Sequence, residues 1–438
     1  MPPTTGRVAY LMSRYPKLTE TFILYEILAV EKQGVSVEIF PLLRERQSVV
    51  HPDAAQLLQR VHFRPFLSLG VLSANLYYLC HNPAAYLKAL AEIVCGTWGS
   101  FNFFFGGLAI FPKAVRIARD IANSNIHHVH AHYSNHPTVA ALVIHRLTQI
   151  PFSFTGHGHD LHVERRMLCE KLKAASFAIM ISEYNRRLVI DECGPHLADK
   201  LQLLHCGVDT RALFPRVIRA GDRPLSILCV ASLIEVKGHK YLIEACRLLQ
   251  ERGVSFVCHL IGDGSERVAL SSQVEAAGLE TKVLLHGPAA RPVVIRMLGD
   301  ADVIVLTSAP TRRGSREGIP VALMEGMACG LPVVASGISG IPELVDDHRT
   351  GFLTPPRDPV AVADALEQLA RDPDLRRRMG DAGREKVQRE FDLDANAARL
   401  AELFRSHGVL TEATREVSRS GKTDWNSVEE DAHAHRCA

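Results

Sequence analysis

The feature that most constrains this chain is a rhythm repeated along it, in which short apolar runs alternate with longer amphipathic stretches. Apolar runs of four to eight residues between helical patterns read as strands covered on both faces, and strands linked by helices lie parallel. One series runs 8–12, 35–40, 128–131, 151–154, 177–181 and 201–205, and a second runs 225–231, 256–262, 283–286, 303–308, 332–336 and 351–353. The pattern predicts an α/β chain with two Rossmann-like, doubly wound parallel sheets. After the first strand, Thr19 suits an N-cap, residues 20–33 a helix and Gly34 its stop. Residues 207–224 mix Gly, Pro and charge without periodicity, which marks an interdomain linker. The division is therefore 1–210 for one domain, 222–395 for the other, 396–408 for a terminal helix and 409–438 for a charged tail read as mobile.

Lys and Arg number 50 against 48 Asp and Glu, so no global field draws the chain to nucleic acid, and no nucleic-acid partner is expected. The ten cysteines are scattered without C-x-x-C spacing, as reduced thiols filling cores would be. The first residues go straight into a strand without a secretory h-region, which gives a cytoplasmic expectation. Within 60–115 lies an apolar, aromatic insertion, and its stretch 93–112 carries no charge. Its glycines, Asn102 and aromatics favour helices that are buried or lie in a membrane interface over a true span.

The segment 308–340, SAPTRRGSREGIPVALMEGMACGLPVVASGISG, leads from a strand through a loop and a helix into another strand. Ligands of open α/β sheets bind beyond the carboxyl ends of strands, which places Glu317 and Gly318 at a ligand. Pro320 suits the first helical turn, and the helix 320–329, closed by Gly330, would aim its unpaired amides at an anionic diphosphate. Glu325, eight residues after Glu317, can accept two hydrogen bonds from vicinal ribose hydroxyls. Gly262 and Gly264 in IGDG follow a strand, where a missing Cβ lets backbone approach a base or ribose; a structural turn is the competing reading. His286 and Gly287 stand in the same position.

The Glu317-x7-Glu325 spacing, followed by GLPVVAS and GIPELV, closely resembles family 4 of the retaining glycosyltransferases. VASLIEVKGHKYLIEA at 230–245 and IGDGSER at 261–267 extend the likeness through the second half. AYLMSRYPKLTETFILYEI, HVHAHY, FTGHGHD and LLHCGVD resemble the colanic-acid type of exopolysaccharide glycosyltransferase within that family. The resemblance implies a GT-B architecture with its domains facing a cleft, and a nucleotide diphosphate sugar as donor. It implies that Lys237 grips the diphosphate, that His157 is the active-site histidine, and that Glu317 orients sugar hydroxyls without becoming a nucleophile. Ser232, Gly318, Ile319, Pro320, Val321 and Arg316 join the donor side. No metal and no other cofactor is implied. The family carries an arginine five residues before the lysine, where this chain has Ser232; Arg312, Arg313 or Arg316 could replace it, or helix amides could carry the load alone.

Thr19 and Glu20 stand at the mouth of the first sheet, where the acceptor is expected, although such a pair also serves as a helix cap. His128, His130 and His132 alternate on one strand, and His157, His159, Asp160 and His162 crowd one loop. That spacing resembles metal ligands, but a metal hydrolase leaves the second-half motifs unexplained, and most of these histidines read as polar sheet-end or loop residues. The expected activity is retaining transfer of a hexose to a growing, lipid-linked saccharide, with peripheral contact at the inner face of the cytoplasmic membrane. The alternatives are an epimerase or phosphorylase on the same scaffold, or a non-catalytic sugar-nucleotide binding protein.

Overall fold

The computed structural model describes residues 6–16, 21–45, 52–215 and 223–407. Thr19, Glu20 and the tail 409–438 lie outside the described residues, as do 216–222 of the linker. The first sheet holds β1 (Gly6–Tyr15), β2 (Val35–Arg44), β3 (His128–His132), β4 (Phe152–Gly156), β5 (Phe177–Met180) and β6 (Leu201–Leu203), in the order β2-β1-β3-β4-β5-β6. The second holds β7 (Leu225–Val230), β8 (Phe256–Ile261), β9 (Val283–Gly287), β10 (Val303–Leu306), β11 (Val333–Ser336) and β12 (Gly351–Thr354), in the order β12-β11-β10-β7-β8-β9. All pairings in both are parallel. β3, β4, β5, β10 and β11 are buried at every residue, as strands covered on both faces must be. Strand order reverses between β1 and β3 and again between β7 and β10, and the carboxyl ends at these two switch points face each other.

The chain passes between the domains twice, side by side. The Val208 N–H donates to the Phe391 carbonyl at 2.9 Å and the Leu393 N–H returns to the Val208 carbonyl at 3.1 Å. A Cβ on Gly207 would stand 2.5 Å from the Leu393 Cα, so only glycine lets the two crossing strands of chain meet. After the crossing, the helix Leu393–Ser406 returns to the first domain, where Leu400, Ala401 and Phe404 join the core of Val8, Tyr10 and Ile27.

The insertion forms three helices, Leu69–His81, Pro83–Thr97 and Phe101–Ala122, each opened by a side chain accepting an amide of its first turn: Ser68 from Val71, Asn82 from Ala85, Ser100 from Phe103. Phe101–Ala122 is long and apolar enough to cross a membrane, yet half of its most apolar window is buried in the protein. The insertion's outer face carries Leu67, Leu69, Leu72, Trp98 and Phe101, exposed by 89, 85, 66, 69 and 82%.

Three expectations need correcting. Cys169 and Cys193 form a disulfide, because the helices Leu168–Ala174 and Glu183–Cys193 on either side of β5 bring their Cα atoms to 5.1 Å. Of the other described cysteines, Cys229, Cys246, Cys258 and Cys329 fill cores as expected, but Cys80 and Cys95 are exposed and Cys206 reaches the cleft. His128 and His132 do end β3, but with His130 they are fully buried instead of facing solvent, with Ser153 Oγ at 2.7 Å from both His128 Nε2 and His130 Nδ1, and Thr155 Oγ1 at 3.0 Å from His130 Nε2. Pro320 is the N-cap of its helix, Val321–Ala328, and stands one residue before the first turn.

Candidate active site in the interdomain cleft

A cleft of about 700 Å³ lies between the sheets. Its walls include His157, Ser232, Lys237, Gly262, Arg316, Glu317, Gly318, Ile319, Pro320, Val321 and Glu325. The groups expected from sequence thus converge, except for Thr19, Glu20, Gly264, His286 and Gly287. Thr19 and Glu20 are undescribed. Gly264 is off the wall; a Cβ there would stand 2.4 Å from the Leu233 carbonyl oxygen, so its role is a tight turn. Gly262, at φ +146°, lies on the wall but also packs its Cα against the Ala231 carbonyl, 1.9 Å from where a Cβ would be. His286 pairs with His259 at 2.9 Å and likewise lies off the wall.

Lys237 ends a single 3-10 turn, Glu235–Lys237, closed by Gly238 at φ +68°. Its Nζ donates to Glu317 Oε2 at 2.5 Å, and the Ser308 hydroxyl donates to the same oxygen at 3.3 Å. The Lys237 side chain is 21% exposed and that of Glu317 12%, so the pair meets the cleft largely shielded from water. In the neighbouring helix, Leu323 and Met324 donate to the Pro320 carbonyl, which leaves the Val321 and Ala322 amides on the wall without intrahelical acceptors. A diphosphate here would meet an ammonium from one side and a helix N-terminus from the other.

Arg291 went unrecognised in the sequence. Its Nη1 donates to Glu325 Oε1 at 2.8 Å, and its guanidinium lies 4.4 Å from the centroid of Tyr25, which belongs to the other domain. Burial pushes the Glu325 carboxyl above its ordinary range, and the Arg291 charge opposes that shift. Arg316 Nη1 donates to the Tyr184 hydroxyl at 2.9 Å, again across the cleft. Of the three arginines weighed against Ser232, only Arg316 reaches the wall.

His157 follows β4, where its backbone is fixed by Asp160: Oδ1 accepts the His157 and Gly158 N–H groups at 3.0 and 2.9 Å, and Oδ2 accepts the Ser134 N–H at 2.6 Å. The imidazole packs on Phe22 and Tyr133 at centroid distances of 4.9 and 4.7 Å. Burial first, then the neighbouring His132, push it down to about 4, against the pull of Asp160 and Glu26. It is therefore neutral near pH 7 and can orient a sugar hydroxyl without shuttling a proton. Its carbonyl oxygen approaches Gly318 so closely that a Cβ there would be 2.6 Å away, which explains glycine after Glu317. Glu26, His130 and His132 bring potential ligand atoms within 4.8 Å of one another, but both His130 nitrogens are engaged by hydroxyls.

Two facing Rossmann-like domains with a carboxylate-ammonium pair and a helix N-terminus on one wall and a neutral histidine on the other define a GT-B glycosyltransferase. The family models agree: residues 19–212 match Glycosyltransferase Family 4 and residues 211–386 match Glycosyl transferases group 1. The chain belongs to this family and is a hexosyltransferase. Among relatives, the colanic acid biosynthesis glycosyltransferase WcaL of Salmonella typhimurium is 29% identical, over 91% of this chain and 100% of its own. The GDP-mannose-dependent alpha-(1-6)-phosphatidylinositol monomannoside mannosyltransferase of Mycobacterium tuberculosis is 30% identical, over 57% of this chain and 68% of its own. The Anabaena HepE structure in complex with UDP-glucose superposes with a TM-score of 0.67 at 18% identity, covering 91% of this chain and 99% of that one.

Proposed function

We propose that this enzyme transfers a hexose, with retention and without a metal, from a nucleotide diphosphate sugar to a lipid-linked saccharide in exopolysaccharide assembly. The observation that carries the donor half is the convergence of Lys237, Glu317 and the Val321–Ala328 N-terminus on one wall, opposite His157. Lys237 and the helix amides neutralise charge growing on the leaving diphosphate. Glu317 orients sugar hydroxyls, and Glu325, with Arg291, holds the ribose. The acceptor hydroxyl attacks from the face the diphosphate leaves, and a leaving-group oxygen takes its proton, so no protein nucleophile is needed. The colanic acid name of the relative supports an exopolysaccharide acceptor, and the apolar outer face of the insertion supports contact with the inner face of the cytoplasmic membrane.

Thermal stabilisation of the purified protein against a panel of nucleotide sugars tests the donor reading, since a ligand bound only by the native state raises Tm. One base and sugar should shift Tm in a saturable way without added metal. No shift across the panel, or one that requires a divalent ion, contradicts it. Flotation with anionic vesicles tests the membrane contact separately, with Phe101→Ser/Trp98→Ser expected to release the protein.

A further inference from the structure

Behind His157 a line of polar groups runs away from the cleft into the first domain. His157 Nε2 lies 3.1 Å from His132 Nδ1, and the two rings stack at 5.4 Å. On its far side, His132 Nε2 lies 3.3 Å from Glu26 Oε1. The Tyr10 hydroxyl donates to that same oxygen at 3.0 Å. On the near side, His157 Nδ1 lies 4.0 Å from Cys206 Sγ, and both residues line the cleft. His132 is fully buried and His157 is 9% exposed, so water competes little for the contact between the two rings.

We infer that Glu26 and His132 are positioning residues that hold His157 as its Nε2–H tautomer, so that a bare Nδ1 faces the cleft and accepts a hydroxyl of the transferred sugar. The direction follows from the end of the line. A carboxylate 3.3 Å from His132 Nε2 attracts a proton to that nitrogen although the contact lacks hydrogen-bond geometry, so a neutral His132 carries its single proton at Nε2 and its Nδ1 is an acceptor. The proton between the rings then belongs to His157 Nε2, and His157 Nδ1 is left as an acceptor. Burial pushes the carboxyl of Glu26 up, but the neighbouring His132 and His157 and the hydrogen bond from Tyr10 outweigh it, holding the group below its ordinary value and ionised. Burial pushes the Cys206 thiol up to about 12, so it remains S–H and suits an acceptor nitrogen. The selectivity that results is for a donor hydroxyl on the sugar; a sugar bearing only an acceptor at that position would face Nδ1 lone pair to lone pair.

This inference rests on the reading of His157 as the sugar-facing group, and its test has a readout independent of turnover. In the wild-type protein labelled with 15N-histidine, the His157 signals, identified by their loss in His157→Gln, should show a protonated Nε2 and an unprotonated Nδ1 at neutral pH. A protonated Nδ1 would overturn the assignment without any substitution in the line. With the donor found by the thermal panel, Glu26→Gln and His132→Phe should each lower kcat tenfold or more while KM for the donor stays within about twofold. The double variant should be no worse than the more damaged single, because the residues act through one imidazole. Effects that multiply, or a loss confined to KM, would show that the two act separately and sink the proposal. A panel without any donor would fail the function reading while leaving the tautomer measurement to stand or fall alone.

Discussion

Lys237 and Glu317 satisfy each other in the cleft, and a donor diphosphate would have to share that ammonium. Since Nζ has three protons and Glu317 Oε2 takes one, the remaining two can reach phosphate oxygens without breaking the pair. Lys237→Met keeps most of the aliphatic stem and removes only the charge. It is expected to lower kcat/KM by about 10²–10³, the usual loss when one donor to a developing anion is removed, with the larger share in kcat. A change under tenfold in steady-state transfer would mean that the helix amides carry the charge alone. Lys237, Glu317 and Glu325 were legible because each lies in a motif with fixed local spacing. Arg291 was not, because what makes it part of the site is Tyr25 in the other domain and Glu325 more than thirty residues on, and neither is encoded near it. The absent arginine at Ser232 was visible in the sequence; only the fold shows that Arg316 and Arg291 are the guanidinium groups on the wall.

At the level of elements, the twelve strands of the described residues were legible because each is a short, mainly apolar run between helical patterns, and such runs are a local property. Where an element packs is a long-range property, and there the sequence was silent. Residues 396–408 read as a helix, but nothing local says that the observed helix, Leu393–Ser406, covers the first sheet instead of the second. The buried histidines of β3 were misread for the same reason: their partners Ser153 and Thr155 come from β4, and their aromatic cover, Phe404, comes from the far end of the chain. Phe404 also packs on Tyr10 and Phe177 and is fully buried. Phe404→Ala should therefore destabilise the first domain by about 3–5 kcal/mol, the range for emptying a buried aromatic site. Urea unfolding followed in that domain should show a lower midpoint at unchanged slope. An unshifted midpoint would mean that the terminal helix only lies on the surface.

For the whole molecule, the two domains are held by contacts on the rim of the cleft. Glu343, from the GIPELV motif of the second domain, accepts the Glu183 and Tyr184 N–H groups at 2.7 and 2.9 Å, capping the N-terminus of Glu183–Cys193 in the first, and His159 meets Ser315 at 3.0 Å. Glu343→Ala should open the molecule, read as a larger radius of gyration in small-angle scattering, and raise the donor KM; an unchanged radius would assign closure to other contacts.

The same architecture makes the protein sensitive to acid. Burial holds His128 down at about 3 and His157 and His239 at about 4, and a neighbouring group, His407, His132 and Lys237 respectively, adds to each shift. Because these folded values lie below that of the unfolded chain, the unfolded state takes up protons that the native state refuses once the pH drops below about 6.5. Native stability is intact above that value and falls as the pH is lowered, by about 2 kcal/mol for each of the three by pH 5. Melting curves from pH 8 to 5 should be flat at the alkaline end and drop steeply below 6.5. His239 lies in the second domain, so His239→Gln should weaken that drop without touching the relay behind His157. A Tm that held level to pH 5 would mean that these imidazoles are protonated in the native protein, contrary to the neutral state that their burial imposes.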